Sequence, residues 1–372
     1  MKRLLGNLAL LLGTVAVGAV LGEVVVRSLF ADQNVLFPRY QTEYQYGKYT
    51  LRGMRPNAEF RHTSADGRWT FVTNGRGLRD TRDFPYEKPA GTLRPLSLGD
   101  SHTQGYEVRQ GFTYTAVAER LLNERVGPAE GLNAGISGFS TAEALAYLEN
   151  EGARYRPDVV VLGFYGNDFV DNLMSGLFSL DADGRLVPQK YEHIPGVKIQ
   201  NVLYGIPPVR WLAENSYFYS LLFNAAWEHF KILARKSARA SLPTEYAVAQ
   251  GPGPTAPETE LAAALILRMH AFCRSQGIRF LVVDIPQRPA PQRFSPSIPA
   301  QMAARLEAAG VELLSSESLF GPYQGGAEMH VPHGQQHISE FAHTLIGAEI
   351  ARRLAGQERA PGRDGVIPAR HH

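Results

Sequence analysis

The sequence predicts a doubly wound α/β fold, and three observations carry that prediction. From residue 94 onward, short apolar segments alternate with amphipathic helical patterns. One segment, Asp158-Val159-Val160-Val161-Leu162-Gly163-Phe164, is apolar nearly throughout, as expected of a parallel strand buried on both faces. The first three segments run into loops rich in Gly, Ser, Asn and Asp, at the sheet edge where open α/β folds bind ligands.

Composition is compatible with one large domain plus additions. The chain has 372 residues, 44% hydrophobic and 20% charged, enough to bury a full core. A net charge of +2 with interspersed signs leaves no basic footprint for nucleic acid. Cys273 is the only cysteine, which excludes an internal disulfide. It continues the apolar pattern of Leu261, Leu265 and Met269, so packing is its expected role.

Residues 4–22 form an uncharged apolar run preceded by Lys2 and Arg3. At about 1.5 Å per residue such a run nearly crosses a hydrocarbon core of about 30 Å. Basic residues ahead of it keep the N-terminus cytoplasmic and send the remainder across. The segment 1–30 is therefore read as an uncleaved membrane anchor, with a cleaved signal peptide as the competing reading. Residues 36–90 show no helical period and are read as a small β-rich module. Phe60 to Val72 reads as a hairpin turning at Ser64-Ala65-Asp66-Gly67. Arg79 in the next turn cluster is expected in a surface ion pair, with a substrate carboxylate or phosphate as the alternative.

Within the main domain, 91–355, the expected strands are 94–99, 131–134, 158–164, 279–284 and 311–314. The expected helices are 112–125, 140–154, 259–276, 299–309 and 339–355. Ser140-Thr141-Ala142-Glu143 is a capping box for the second of these. An insertion at 172–258 interrupts the alternation. It carries a hairpin near 179–187 and one long helix, 209–236, dense in aromatic residues. That helix is read either as a cap over the site or as a face resting on the membrane, with Lys231, Arg235, Lys236 and Arg239 near headgroups. Residues 250–257 read as a loop and 356–372 as a disordered tail.

Three loops carry chemistry. The first strand runs into Gly99-Asp100-Ser101, which places an exposed Ser beside a helix N-terminus, a suitable position for a nucleophile. The second loop, Asn133 to Thr141, offers backbone N–H groups at its glycines. The third, Tyr165-Gly166-Asn167-Asp168, offers a side-chain amide. Near the C-terminus His337 opens the last helix, where it can face Ser101 as a base.

In that order, Gly-Asp-Ser, Asn-Ala-Gly-Ile-Ser-Gly, Gly-Asn-Asp and the late His resemble the SGNH hydrolase (GDSL esterase) superfamily over roughly residues 94–355. The anchor and β module look like the membrane-anchored bacterial members associated with cell-envelope polysaccharide modification. The resemblance implies a three-layer α/β/α sandwich with a mostly parallel five-stranded sheet of flavodoxin-like type. It implies Ser101 as nucleophile and His337 as general base. The N–H groups of Ser101 and Gly138 and the amide of Asn167 would form the oxyanion hole. It gives Asp100 and Asp168 structural roles and requires no metal or organic cofactor.

One position departs from the family. The usual Asp two or three residues before the His is replaced by Gln335 and Gly334. A Ser-His dyad is then expected, its ring held by a backbone carbonyl or by Gln335, with Glu328 as the alternative third member. The run His330, His333, His337 has zinc-like spacing, but Pro332 and Gly334 interrupt any helix that would align it. The expected function is an extracytoplasmic serine esterase acting through an acyl-enzyme on an acylated glycan or other small ester, with O-acetyl groups of an envelope or extracellular glycan as the expected target. Two alternatives share these residues: an O-acyltransferase with a sugar acceptor, and a glycan-binding or assembly protein with a degenerate site.

Overall fold

The structure, a computed structural model, describes residues 2–36, 42–43, 52–189, 202–203, 205–240, 253–334 and 336–356. Its centre is a five-stranded sheet built from β3 (Pro95–Leu98), β4 (Leu132–Asn133), β5 (Val159–Phe164), β6 (Arg279–Asp284) and β7 (Glu312–Leu314). The spatial order is β7-β6-β5-β3-β4, and every pairing is parallel. The chain reverses its winding direction between β3 and β5, which is the switch point where a doubly wound sheet opens a crevice beyond its carboxyl ends.

The alternation of side chains along each strand creates the three layers. Val160, Leu162 and Phe164 of β5, with Phe280 and Val282 of β6, join one apolar cluster. That cluster is completed by α4 (Thr141–Asn150), α8 (Ala256–Ser275) and α9 (Ala300–Ala308). Val159 and Val161, with Leu281 and Val283, join the other, covered by α3 (Tyr114–Arg125) and α10 (Glu340–Ala355). All six residues of β5 are buried, so cutting Leu162 back to Ala is expected to cost about 2–5 kcal/mol. Cys273 packs in the first cluster, and burial pushes its thiol up to about 12.

Ahead of the sheet stand α1 (Lys2–Leu29) and a hairpin of β1 (Glu59–Ser64) and β2 (Gly67–Val72). Phe60 and Phe71 stack at 5.0 Å between centroids and pack on Ile136 and Phe139 of the loop that follows β4. Arg79 is not in a surface ion pair. It is 4% exposed and donates to the carbonyls of Gln104, Gly105 and Val108, tying down the turn that follows the Gly-Asp-Ser segment. A turn left with several orphaned carbonyls needs donors, and a guanidinium supplies five of them. That burial pulls its pKa down to about 9.

The α1 helix is 28 residues long with mean hydropathy 2.2 in its most apolar window, and by length and composition it can cross a membrane. It is joined to the insertion. Instead of one helix over 209–236, the chain forms α6 (Pro207–Asn215) and α7 (Tyr217–Ala240), broken at Ser216. The reason is capping. Ser216 is extended, and its Oγ accepts from Tyr219 N at 3.0 Å, as an N-cap Ser does. Glu23 of α1 supplies a second cap, accepting from Phe218 N at 2.9 Å, Tyr217 N at 3.2 Å and Ser216 Oγ at 2.8 Å. The side chains of Lys231, Arg235, Lys236 and Arg239, and residues 357–372, lie outside the described residues.

Candidate active site

The carboxyl ends of β3, β4 and β5 hold the three loops. After Leu98, Gly99 and Asp100 turn the chain into the short helix α2 (Ser101–Gln104), whose N-cap Asp100 accepts from His102 N at 2.9 Å. Ser101 is thereby the first helical residue, and its N–H has no partner inside the helix. His337 arrives from the other end of the chain, just before Ser339 caps α10. Ser101 Oγ stands 2.7 Å from His337 Nε2.

The protonation of that imidazole follows from its other nitrogen. Nδ1 lies 2.6 Å from the carbonyl oxygen of Gly334. A carbonyl only accepts, so Nδ1 carries the hydrogen and Nε2 presents its lone pair to the Ser101 hydroxyl. The ring is further held by stacking on Tyr106 at 4.1 Å and on His102 at 4.6 Å. Burial pulls the His337 pKa down to about 4, against the raising effect of the Gly334 bond and with further lowering from His62 and His330. The ring is neutral at pH 7.

Gly138 has φ +82, a left-handed conformation that glycine adopts freely, and the Arg52 guanidinium occupies the side where a Cβ would stand. Arg52 Nε in turn donates to Glu143 Oε1 at 3.0 Å. Asn167 immediately precedes α5 (Asp168–Ser175), and its Nδ2 donates to Asp171 Oδ2 at 2.8 Å. The same side chain also hydrogen-bonds the Asp100 carboxyl, so the amide is held between the first and third loops. Asp168 accepts from Thr141 Oγ1 and Tyr165 N, both at 3.0 Å, and so pins the third loop to the second. Burial raises the carboxyl groups of both Asp100 and Asp168 above the usual range; repulsion from Asp171 adds to it at Asp100, and repulsion from Asp100 and Asp171 at Asp168.

Glu328 is not at His337. Its Oε2 accepts from Arg288 Nη2 and Gln292 N, both at 2.9 Å, and its Oε1 accepts from His330 N at 3.2 Å. The cation and two backbone donors satisfy it where it stands. Gln335 lies outside the described residues. The three spaced histidines face separate partners: His330 the Pro286 carbonyl, His333 the Asp66 carboxylate, His337 the Ser101 hydroxyl. Sequence reasoning missed Tyr106, His102 and Arg52, because stacking and close approach to a glycine leave no spacing signature.

The sequence matches the GDSL-like Lipase/Acylhydrolase family over residues 97–309, more than half the chain. That span includes Ser101, Gly138 and Asn167 and stops short of His337. None of the curated proteins compared matches the chain. Among solved structures, it is similar to an α/β hydrolase enzyme from the metagenome of Lake Arreo, Spain, at 14% identity and TM-score 0.40, covering 73% of this chain and 97% of that one. It is similar to a variant of an acetyl-xylooligosaccharide esterase from Geobacillus Stearmophilus, at 13% identity and TM-score 0.40, covering 71% and 94%. A two-domain esterase active on acetylated mannans gives 14% identity and TM-score 0.39, covering 74% and 52%. The family match, carried on a parallel five-stranded sheet, makes this chain a member of the GDSL-like lipase/acylhydrolase family, an ester-bond hydrolase of the SGNH superfamily.

Proposed function

We propose that the protein is a membrane-anchored, extracytoplasmic serine esterase that removes short acyl groups, acetyl above all, from an envelope glycan. The observation that carries the mechanism is the 2.7 Å contact of Ser101 Oγ with a His337 Nε2 left as acceptor by the Gly334 bond. Ser101 Oγ attacks the ester carbonyl carbon while its proton passes to Nε2. The carbonyl oxygen, now an anion, takes hydrogen bonds from the N–H groups of Ser101 and Gly138 and from the Asn167 amide. The tetrahedral intermediate collapses, the glycan oxygen leaves with the proton from Nε2, and the acyl group stays on Ser101. Water then attacks the acyl-enzyme with His337 again as base, releasing the carboxylic acid and restoring the hydroxyl.

Two features support the substrate and the location. The Tyr165 hydroxyl lies 3.2 Å from Gln336 Oε1 next to His337, and Arg52 stands at Gly138, so the surroundings are polar and suit sugar hydroxyls. The bonds from Glu23 to the start of α7 tie α1 to the insertion, which supports a retained anchor. Trp211, Leu222, Ile232 and Leu233 remain exposed on the helices beside it, a surface that an adjoining bilayer would cover.

The test is turnover of a short-acyl ester panel and of an O-acetylated polysaccharide by the full-length protein in detergent. Free acetate and loss of activity in Ser101→Ala are expected. Acetylated acceptor sugar in place of acetate would assign acyl transfer instead, and no turnover of any ester would overturn the reading.

A further inference from the structure

When His337 takes the proton from Ser101 it becomes an imidazolium in a mostly buried site. Among the described residues, the partner of its Nδ1 hydrogen is a neutral carbonyl, that of Gly334. A charge formed away from water is costly unless an anion stands near it. The segment Val331 to His337 carries no carboxylate. The structure brings one in from elsewhere.

Glu107 sits in the turn after α2 and is 2% exposed. Its backbone has φ +57, a left-handed conformation costly for a residue with a side chain and one that persists only where the surroundings enforce it. Its Oε1 accepts from His62 Nε2 at 2.9 Å. Its Oε2 is buried with no hydrogen-bond partner among the described residues. That oxygen lies 2.5 Å from the point where a Cβ on Gly334 would stand. Glu107 thus fills the space a side chain at 334 would take, against the residue whose carbonyl holds His337. Residue 334 is glycine for that reason: any side chain there would collide with the carboxylate and with Val331 Cβ, at 2.7 Å.

We propose that Glu107 is the positioning residue of the base: its buried carboxylate supplies, across Gly334, the counter-charge for the His337 imidazolium. The proposal rests on the reading of His337 as general base. Among the described residues, the side chains that lower His337 are His62 and His330, and neither brings a negative charge. His62, His102 and His330 are neutral or cationic, and Asp66 is committed to His333 through both its N and its Nδ1. His62 orients the carboxylate from β1, and burial lowers the pKa of that imidazole. Tyr106 closes the arrangement, stacking on His337 at 4.1 Å and meeting the His62 ring edge-on at 4.6 Å. Through His62 the hairpin is joined to this arrangement.

The experiment compares the full-length protein with Glu107→Gln, Glu107→Asp and the blank Ser101→Ala on a short-acyl aryl ester across pH. Glu107→Gln keeps the shape and the acceptor for His62 but removes the charge. It is expected to lower kcat roughly 10- to 100-fold while KM stays within about twofold. An anion favours imidazolium, so its loss moves the acid limb of kcat/KM to lower pH. Glu107→Asp keeps the charge, and it is expected to hold the acid limb in place and most of kcat. Wild-type kcat and acid limb in Glu107→Gln would overturn the proposal, as would a loss in Glu107→Asp equal to that in Glu107→Gln. Full turnover by Ser101→Ala is a different result, and it would overturn the esterase reading itself together with this inference.

Discussion

His337 gives its Nδ1 hydrogen to the carbonyl oxygen of Gly334, three residues earlier in the chain, at 2.6 Å. The bond fixes the tautomer and the ring orientation as a triad aspartate would, but it brings no charge with it. The consequences of that substitution are measurable.

The carboxylate of Glu328 is held by Arg288 and by the N–H of Gln292. Glu328→Gln should therefore change kcat by less than about threefold. A triad Asp→Asn replacement, by contrast, costs about 10⁴. Steady-state kinetics on a short-acyl ester distinguishes the two, and a loss approaching that size would place Glu328 in the proton relay.

Because burial holds His337 near 4, the base is neutral and competent at every pH above that value. The acid limb of kcat/KM is expected at about pH 4 and not near the ordinary histidine value of about 6.5. Stability changes over a wider window. His337 and His343 have folded pKa values of about 4 and about 3, both depressed by burial. The unfolded chain takes up these protons as pH falls below about 6.5, so stability drops from there down to about 3–4. Initial rates taken after a brief pH jump separate the limb from unfolding, and a limb near pH 6.5 would contradict the burial argument.

Asn167→Ala should cut kcat by about 10²–10³ with a smaller change in KM, since an oxyanion donor acts on charge that develops in the transition state. The measurement is the split between the two constants. A change confined to KM would assign Asn167 to ground-state binding.

Glu23→Ala should lower the Tm of the detergent-solubilised protein, in line with loss of a helix cap, about 0.5–2 kcal/mol. It should leave kcat on a soluble ester unchanged. An unaltered Tm would show that the α1–α7 junction does not depend on this carboxylate.

Much of the main domain was legible in the sequence because its strands and helices announce themselves by period. The expected strand 158–164 and helix 339–355 match Val159–Phe164 and Glu340–Ala355 within a residue. The meeting of Ser101 with His337 was legible for another reason: a loop after a strand and a helix start both have fixed geometry. What the sequence did not disclose depends on contacts between distant segments. Ser216 breaks the expected long helix because Glu23, 193 residues away, waits to cap the second half. Arg79 is buried because the turn after α2 orphans several carbonyls. Glu107 meets Gly334 only through tertiary closure, and no spacing rule links a turn glutamate to a loop glycine far downstream.

The central claim is that Ser101 is the nucleophile and that His337 activates it. The most direct measurement is the rate of covalent labelling by a fluorophosphonate probe, with the modified residue located by mass spectrometry. The account predicts label on Ser101 alone, none in Ser101→Ala, and a rate in His337→Ala lowered by orders of magnitude with the fold intact by circular dichroism. Undiminished labelling in His337→Ala, or label on any other residue, would contradict it.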